Sequence, residues 1–211
     1  MKPTKNDLLN QPPEKVLLMY RAVNDMINEG ADITTMKVAD ITARAGIGKG
    51  TAYEYFSTKD EIITKALLHE MMSYLETITE IANRDTSFQE KVFELLDFGI
   101  HHFNEGRTFI QILKIVLGAS DISDTMKQEF QVIKEENICR QFEQIQDAVM
   151  QAGIKENLLK ERNKKLHRMV FNSQMITFTM MLHENAMHET SEFSLEEMKE
   201  FVYQSVIKLL N

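Results

Sequence analysis

Five side chains between residues 49 and 59 are suited to gripping a polyanion. Lys49 and Lys59 are cations, Thr51 offers a hydroxyl, and Tyr53 and Tyr55 each join a phenol to an apolar ring. Ala52 and Phe56 give the same stretch a narrow apolar face, leaving the polar groups to point outward. Gly48 and Gly50 keep the backbone slim where the segment begins. Such a set can hold phosphates and read base edges. Lys49, Tyr53 and Lys59 are expected on phosphates, and Gly48, Thr51 and Glu54 nearer base edges. Glu54 is the exception in charge. Its carboxylate repels phosphate and can accept only from a donor such as the cytosine amino group.

These residues need a rigid support. Val38, Ile41 and Ala45 recur at helical spacing and predict a short helix. Gly46 ends it, because glycine reaches positive φ at no steric cost. A second short helix carries the cations and aromatics. Thr58 and Glu61 have capping-box spacing and start a third, which places Lys59 in its first turn. Two helices crossing at a glycine turn form a helix-turn-helix, the arrangement that lays a recognition helix in the DNA major groove. A helix from Glu14 to Glu29, closed by Gly30, completes a small three-helix domain.

The stretch ADITARAGIGKGTAYEYFSTKDEI closely resembles the DNA-binding motif of the TetR family of bacterial transcriptional regulators. The likeness spans about residues 14–68, and its specific core is Lys49–Phe56. The rest of the chain is similar only in helical layout. The resemblance implies DNA contact through Lys37, Gly48, Lys49, Gly50, Thr51, Tyr53, Glu54, Tyr55 and Lys59. It also implies an effector pocket in a larger C-terminal domain, and a homodimer that sets two recognition helices on a palindromic operator. Two positions depart from the pattern. Glu54 occupies a variable position that often faces DNA. Lys37 stands where many members place Thr or Ser, so the cap of that helix is expected at Thr34 or Thr35.

Composition agrees with an all-α fold. All three prolines precede Glu14, and only eight glycines occur in 211 residues. The single cysteine, Cys139, excludes an internal disulfide and fits a reducing compartment. No signal peptide opens the chain, and the longest apolar run, about Met175–Leu182, is too short to cross a membrane. A cytoplasmic location is expected. Residues 1–60 balance eight cations against eight acids, so the whole net charge of −8 lies beyond them. The cationic footprint is then local: Arg44, Lys49 and Lys59 against Glu54. Two such patches on a dimer would bind DNA better than one, in a salt-dependent way.

A division into residues 1–58 and 59–211 is expected: a DNA-binding domain, then an effector-binding and dimerisation domain. In the second, helices are expected at Lys59–Asn83, Phe88–Glu105 (capped by Thr86 with Gln89), Thr108–Leu117, Thr125–Gln151 stopping at Gly153, Glu156–Met187, and Leu195–Leu210. The last is capped by Ser194 and Glu197, with Phe193 and Met198 as a staple. Phe98, His102, Phe103, Phe109, Leu113, Phe142, Phe171, Met175 and Phe178 are candidate lining for a small hydrophobic effector, and fourteen methionines suit an adaptable cavity. The helices over 156–187 and 195–210 are apolar on more than one side, so they must bury more than one side. Ile176, Met180, Met181, Phe201, Val202, Val206 and Leu209 are the expected dimer face.

Other motifs fail on inspection. GIGKGT is not a phosphate loop, since Lys49 precedes Gly50, position 43 is Ala43, and no strand precedes it. His183 and His188, around Glu184, are five apart and diverge by about 140° on a helix, so they form no zinc site. His101 and His102 cannot both face one ion. Cys139 is expected to be an ordinary buried residue rather than a redox sensor. No nucleophile–base pair, metal cluster or cofactor fingerprint appears, so neither an enzyme nor a cofactor is expected. The reading is a DNA-binding repressor released by its effector. Its rivals are an enzyme or ligand carrier using the apolar cavity without DNA, and an acidic protein-interaction module.

Overall fold

A computed structural model describes residues 7–116, 122–133, 138–187 and 193–211. They form α-helices joined by turns: α1 Asp7–Asn10, α2 Glu14–Asn28, α3 Val38–Arg44, α4 Lys49–Tyr55, α5 Lys59–Asn83, α6 Phe88–Glu105, α7 Arg107–Val116, α8 Asp124–Ile133, α9 Cys139–Lys155, α10 Lys164–Met187 and α11 Leu195–Leu210. No strand occurs among the described residues. The fold is all-α, as the composition predicts.

The chain divides into two compact units. The first joins Met1–Tyr74 to Glu105–Ile138; the second joins Leu75–Asn104 to Cys139–Asn211. In the first unit α3 packs against both α2 and α4, and Val16, Met19, Val23, Ile41 and Ala52 of these helices are buried. Residues Ile62 to Leu68 of α5 are buried on every side, Thr64 and Lys65 included. That is more than the single face a surface helix buries. The Lys65 ammonium lies 3.8 Å from a Glu129 carboxylate oxygen, linking α5 to α8. Asn28, at the end of α2, accepts from the Thr108 backbone N–H at 2.9 Å and from its hydroxyl at 2.8 Å, and so caps α7.

In the second unit α11 lies along α10, with Val202 and Val206 completely buried and Phe88 against Tyr203 at 5.7 Å between ring centroids. Its start carries both bonds of the expected Ser194–Glu197 capping box. Met198 is buried, whereas Phe193 is 53% exposed.

Several helix limits differ from expectation for local reasons. The cap of α6 is Ser87 with Glu90 rather than Thr86 with Gln89. The Ser87 hydroxyl accepts from Glu90 N–H at 3.2 Å, and the Glu90 carboxylate accepts from Ser87 N–H at 2.8 Å. Glu90 stands at the third helical position, from which a side chain reaches back to the cap backbone, whereas Gln89 stands at the second. The helix expected at Thr125–Gln151 is described as α8 and α9, with residues 134–137 outside the described set, as is Leu117. Gly153 stands inside α9 and does not stop it. The turn comes at Asn157, with φ of 58°. Residues 156–163, the first part of the helix expected at Glu156–Met187, are therefore not helical. The Asn163 side chain accepts from Lys165 N–H at 2.8 Å and opens α10 instead.

Candidate nucleic-acid interface

The helix-turn-helix is α3, a turn, and α4. The turn closes because Gly46 sits at φ of 67°, two residues past the end of α3 and just after its cap residue Ala45, where a side chain would be strained. Gly48 precedes α4 at its cap position, extended at φ of −72°. Phe56 leaves α4 in an extended conformation and is buried, its ring 6.2 Å from Tyr20 of α2. Phe56 thus ties the end of this short helix to α2.

The turn before α3 differs from expectation. α3 has Lys37 at its cap position, with no side-chain capping bond. Neither Thr34 nor Thr35 caps it. Asp32 organises the turn instead: its carboxylate accepts from Thr34 N–H and from the Thr34 hydroxyl, both at 2.8 Å. Those bonds hold the Asp32 carboxyl below the usual carboxylate range, and the Lys59 charge adds to them. Lys59 donates to the Thr34 carbonyl at 2.5 Å, which draws the start of α5 onto the same turn. At that start the Thr58 hydroxyl accepts from Glu61 N–H at 3.1 Å, while the Glu61 carboxylate reaches Ser57 N–H at 2.7 Å.

These contacts gather residues far apart in sequence. Lys37, Lys49, Tyr53 and Lys59 line one open concavity of about 610 Å³, completed by Thr35, Met36, Val38 and Ala39. Tyr53 is 48% exposed. Gly48, Gly50 and Glu54 are exposed, and Thr51 is half-buried. Tyr55 is half-buried rather than outward, its ring 6.4 Å from Phe56. Arg44 does not belong to the cationic footprint. It grips Glu29, one guanidinium nitrogen lying 2.8 Å from a carboxylate oxygen, and Asp25 stands 3.9 Å away. Composition cannot reveal this pairing, because the partners lie on separate helices.

The expected effector residues fall in both units. Phe109 and Leu113 belong to the first, where Phe109 meets Tyr74 edge-on at 5.5 Å. Phe98, His102, Phe103, Phe142, Phe171, Met175 and Phe178 belong to the second. There the Phe98 and His102 rings lie 4.3 Å apart, and Phe171 and Phe178 are buried. Of the expected dimer face, Ile176, Met180, Phe201 and Leu209 are exposed and Met181 is half-buried. Val202 and Val206 are sealed inside their own unit and present no surface. His183 is exposed, His188 lies outside the described residues, and so does the side chain of Cys139. No group of three metal-ligating side chains occurs among the described residues. No described helix is long and apolar enough to cross a membrane.

Residues 26–66 match the family model of the bacterial regulatory proteins, tetR family. No curated protein matches the chain. Among solved structures, the fatty acid degradation regulator FadR from Bacillus halodurans is 17% identical with a TM-score of 0.65, over 94% of this chain and 96% of that one. FadR from Bacillus subtilis, solved in complex with stearoyl-CoA, is 19% identical with a TM-score of 0.63, over 92% and 97%. A transcriptional regulator of the TetR/AcrR family from Thermobifida fusca is 18% identical with a TM-score of 0.55, over 94% and 98%. At such identities the likeness is one of fold. The matched helix-turn-helix segment is similar to the bacterial regulatory proteins of the tetR family, and the whole chain shares its fold with transcriptional regulators of that kind.

Proposed function

We propose that the protein is a homodimeric repressor that holds a palindromic operator and releases it on binding a small hydrophobic effector. Residues 1–58 are the DNA-binding part, residues 59–211 the effector-binding and dimerisation part, and the site of action is the cytoplasm. The observation that carries this reading is the convergence of Lys37, Lys49, Tyr53 and Lys59 on one concave surface beside α4. Three ammonium groups and a phenol around one hollow suit a phosphate backbone. Their placement leaves the outer face of α4 to the base edges. Release is a population shift. α5 runs from Lys59 beside that hollow into the second unit, and the effector favours the conformation whose recognition helices no longer match the half-site spacing. A ligand without preference between the two conformations would shift nothing.

The effector is proposed to be a long acyl chain carried on coenzyme A, from the fold likeness to the FadR structure solved with stearoyl-CoA. The abundance of Phe and Met in residues 59–211 suits an acyl chain of variable length. Selection from a pool of random duplex DNA at moderate salt tests the first step. Enrichment of a palindrome with half-sites about one turn apart is expected. Stearoyl-CoA should then lower the affinity for that duplex, whereas coenzyme A alone should not. An enriched palindrome indifferent to both would retain the regulator and discard the acyl effector.

A further inference from the structure

Glu54 occupies the most outward position of α4. Residues two apart on a helix are rotated by about 200°, so Gly50 and Glu54 each lie about 160° from Ala52. Ala52 is fully buried, and Gly50 and Glu54 are both exposed. They are one turn apart and share the face turned away from the small domain's core. Lys49 and Tyr53 flank this face on the side of the concavity.

The molecule itself gives no reason for either residue. A Cβ on Gly50 would meet nothing within 4 Å, and its φ is not in the left-handed region, so the fold does not require glycine there. Glu54 sits in the last turn of α4, where the helix dipole disfavours an anion. Among the described residues its carboxylate has no hydrogen-bond or ion-pair partner. A carboxylate so placed also opposes the phosphates. Both features make sense against an external surface that offers a hydrogen-bond donor and comes close to the backbone at Gly50.

In the major groove only two base groups donate, cytosine N4 and adenine N6. Adenine presents its N7 acceptor beside N6. An ionised carboxylate, which only accepts, meets repulsion there, whereas an amide satisfies both atoms. Guanine and thymine offer acceptors alone. We propose that Glu54 fixes one C·G pair in the bound duplex, its carboxylate accepting from the cytosine N4 amino group, with Gly50 giving the clearance that lets it reach the base edge. Thr51, three residues earlier, is about 4.5 Å away along the helix axis and serves a neighbouring pair.

This inference rests on the DNA-binding reading. It is tested by running the same random-duplex selection with the wild type, Glu54→Gln and Glu54→Ala, after circular dichroism confirms equal helicity. The wild type should enrich cytosine at one position. E54Q should replace it with adenine there and lose roughly tenfold in affinity for the cytosine site. E54A should lose preference at that position and keep the others. If the amide finds no partner, the E54A result alone still decides. Identical preferences in all three proteins would overturn the proposal and leave the regulator intact. A wild type that enriches no sequence would overturn both.

Discussion

Charge and exposure are different properties at the residue scale, and the interface turns on the difference. Arg44 is a cation near the recognition helix, yet its guanidinium is engaged by Glu29, which raises its own pKa and lowers that of Glu29. Lys49 has no such partner among the described residues and lines the open concavity. Removing each should therefore give different results. Lys49→Ala should weaken operator binding roughly tenfold and reduce the slope of log affinity against log salt by about one, the signature of one lost phosphate contact. Tyr53→Ala should weaken binding without changing that slope, since a phenol releases no counterion. Arg44→Gln should leave the slope unchanged. Fluorescence anisotropy titrations at several salt concentrations measure all three. An equal slope change in K49A and R44Q would remove the distinction drawn here.

At the scale of elements, two helical glycines show how the same substitution takes opposite signs. Gly50→Ala adds a methyl in open space and restricts the unfolded chain, so it should stabilise the fold by about 0.4–1 kcal/mol. Gly153→Ala gains the same entropy, but its Cβ would stand 2.7 Å from Leu159 Cδ1 and 3.1 Å from the Phe88 ring. Leu159 and Phe88 are both buried and cannot swing away. Overpacking of about 1–3 kcal/mol then outweighs the gain, and G153A should be the less stable protein. Urea melts of both variants check the pair of signs.

The α9–α10 contact adds a pH term. Arg168 donates to Asp147 at 2.8 Å and 3.2 Å, and Lys164 lies 3.2 Å away. Arg168 lowers the Asp147 pKa, burial opposes it, and Lys164 adds to the lowering. A depressed carboxyl stabilises the fold above its unfolded pKa, and the contribution fades as pH falls through the folded value. Asp147→Asn should therefore cost about 1–2 kcal/mol at pH 7, and the cost should shrink as pH falls below the ordinary carboxylate range and through the depressed folded value. A gap that persists in acid would assign the loss to packing rather than charge.

Elements with local signals were legible. The glycine turn, the Ser194 capping box and the limits of α5, α6 and α11 follow from capping and periodicity. The limits that were missed depend on tertiary facts. α9 runs through Gly153 because Leu159 and Phe88 occupy the space a side chain would need, and α10 starts late because Asn157 and Asn163 turn the chain first. In the same way, the recognition residues are local to 48–59. Only tertiary contact through Asp32 and Lys59 brings Lys37 beside them.

For the whole molecule, the decisive surface lies on α10 and α11. Met180 is 63% exposed, Leu209 55%, Phe201 54% and Ile176 41%, and Met169 adds 61%. So many large apolar side chains on two helices form a patch that a soluble monomer rarely leaves open. In the proposed homodimer a second copy would cover it with the same residues, since an isologous interface is self-complementary. Val202 and Val206 lie on the same helix as Phe201 but are sealed in the unit's core, so the two sets can be separated by experiment. Phe201→Glu with Leu209→Glu should give a folded monomer by sedimentation equilibrium, with its unfolding midpoint no longer dependent on protein concentration. Val206→Ala should leave the dimer assembled and lower stability by about 2 kcal/mol. The monomer should also lose most operator affinity while keeping its recognition helix, because one footprint of a few cations must then act alone. Full affinity in a proven monomer would mean that a single half-site carries recognition, and the paired-helix reading would fall.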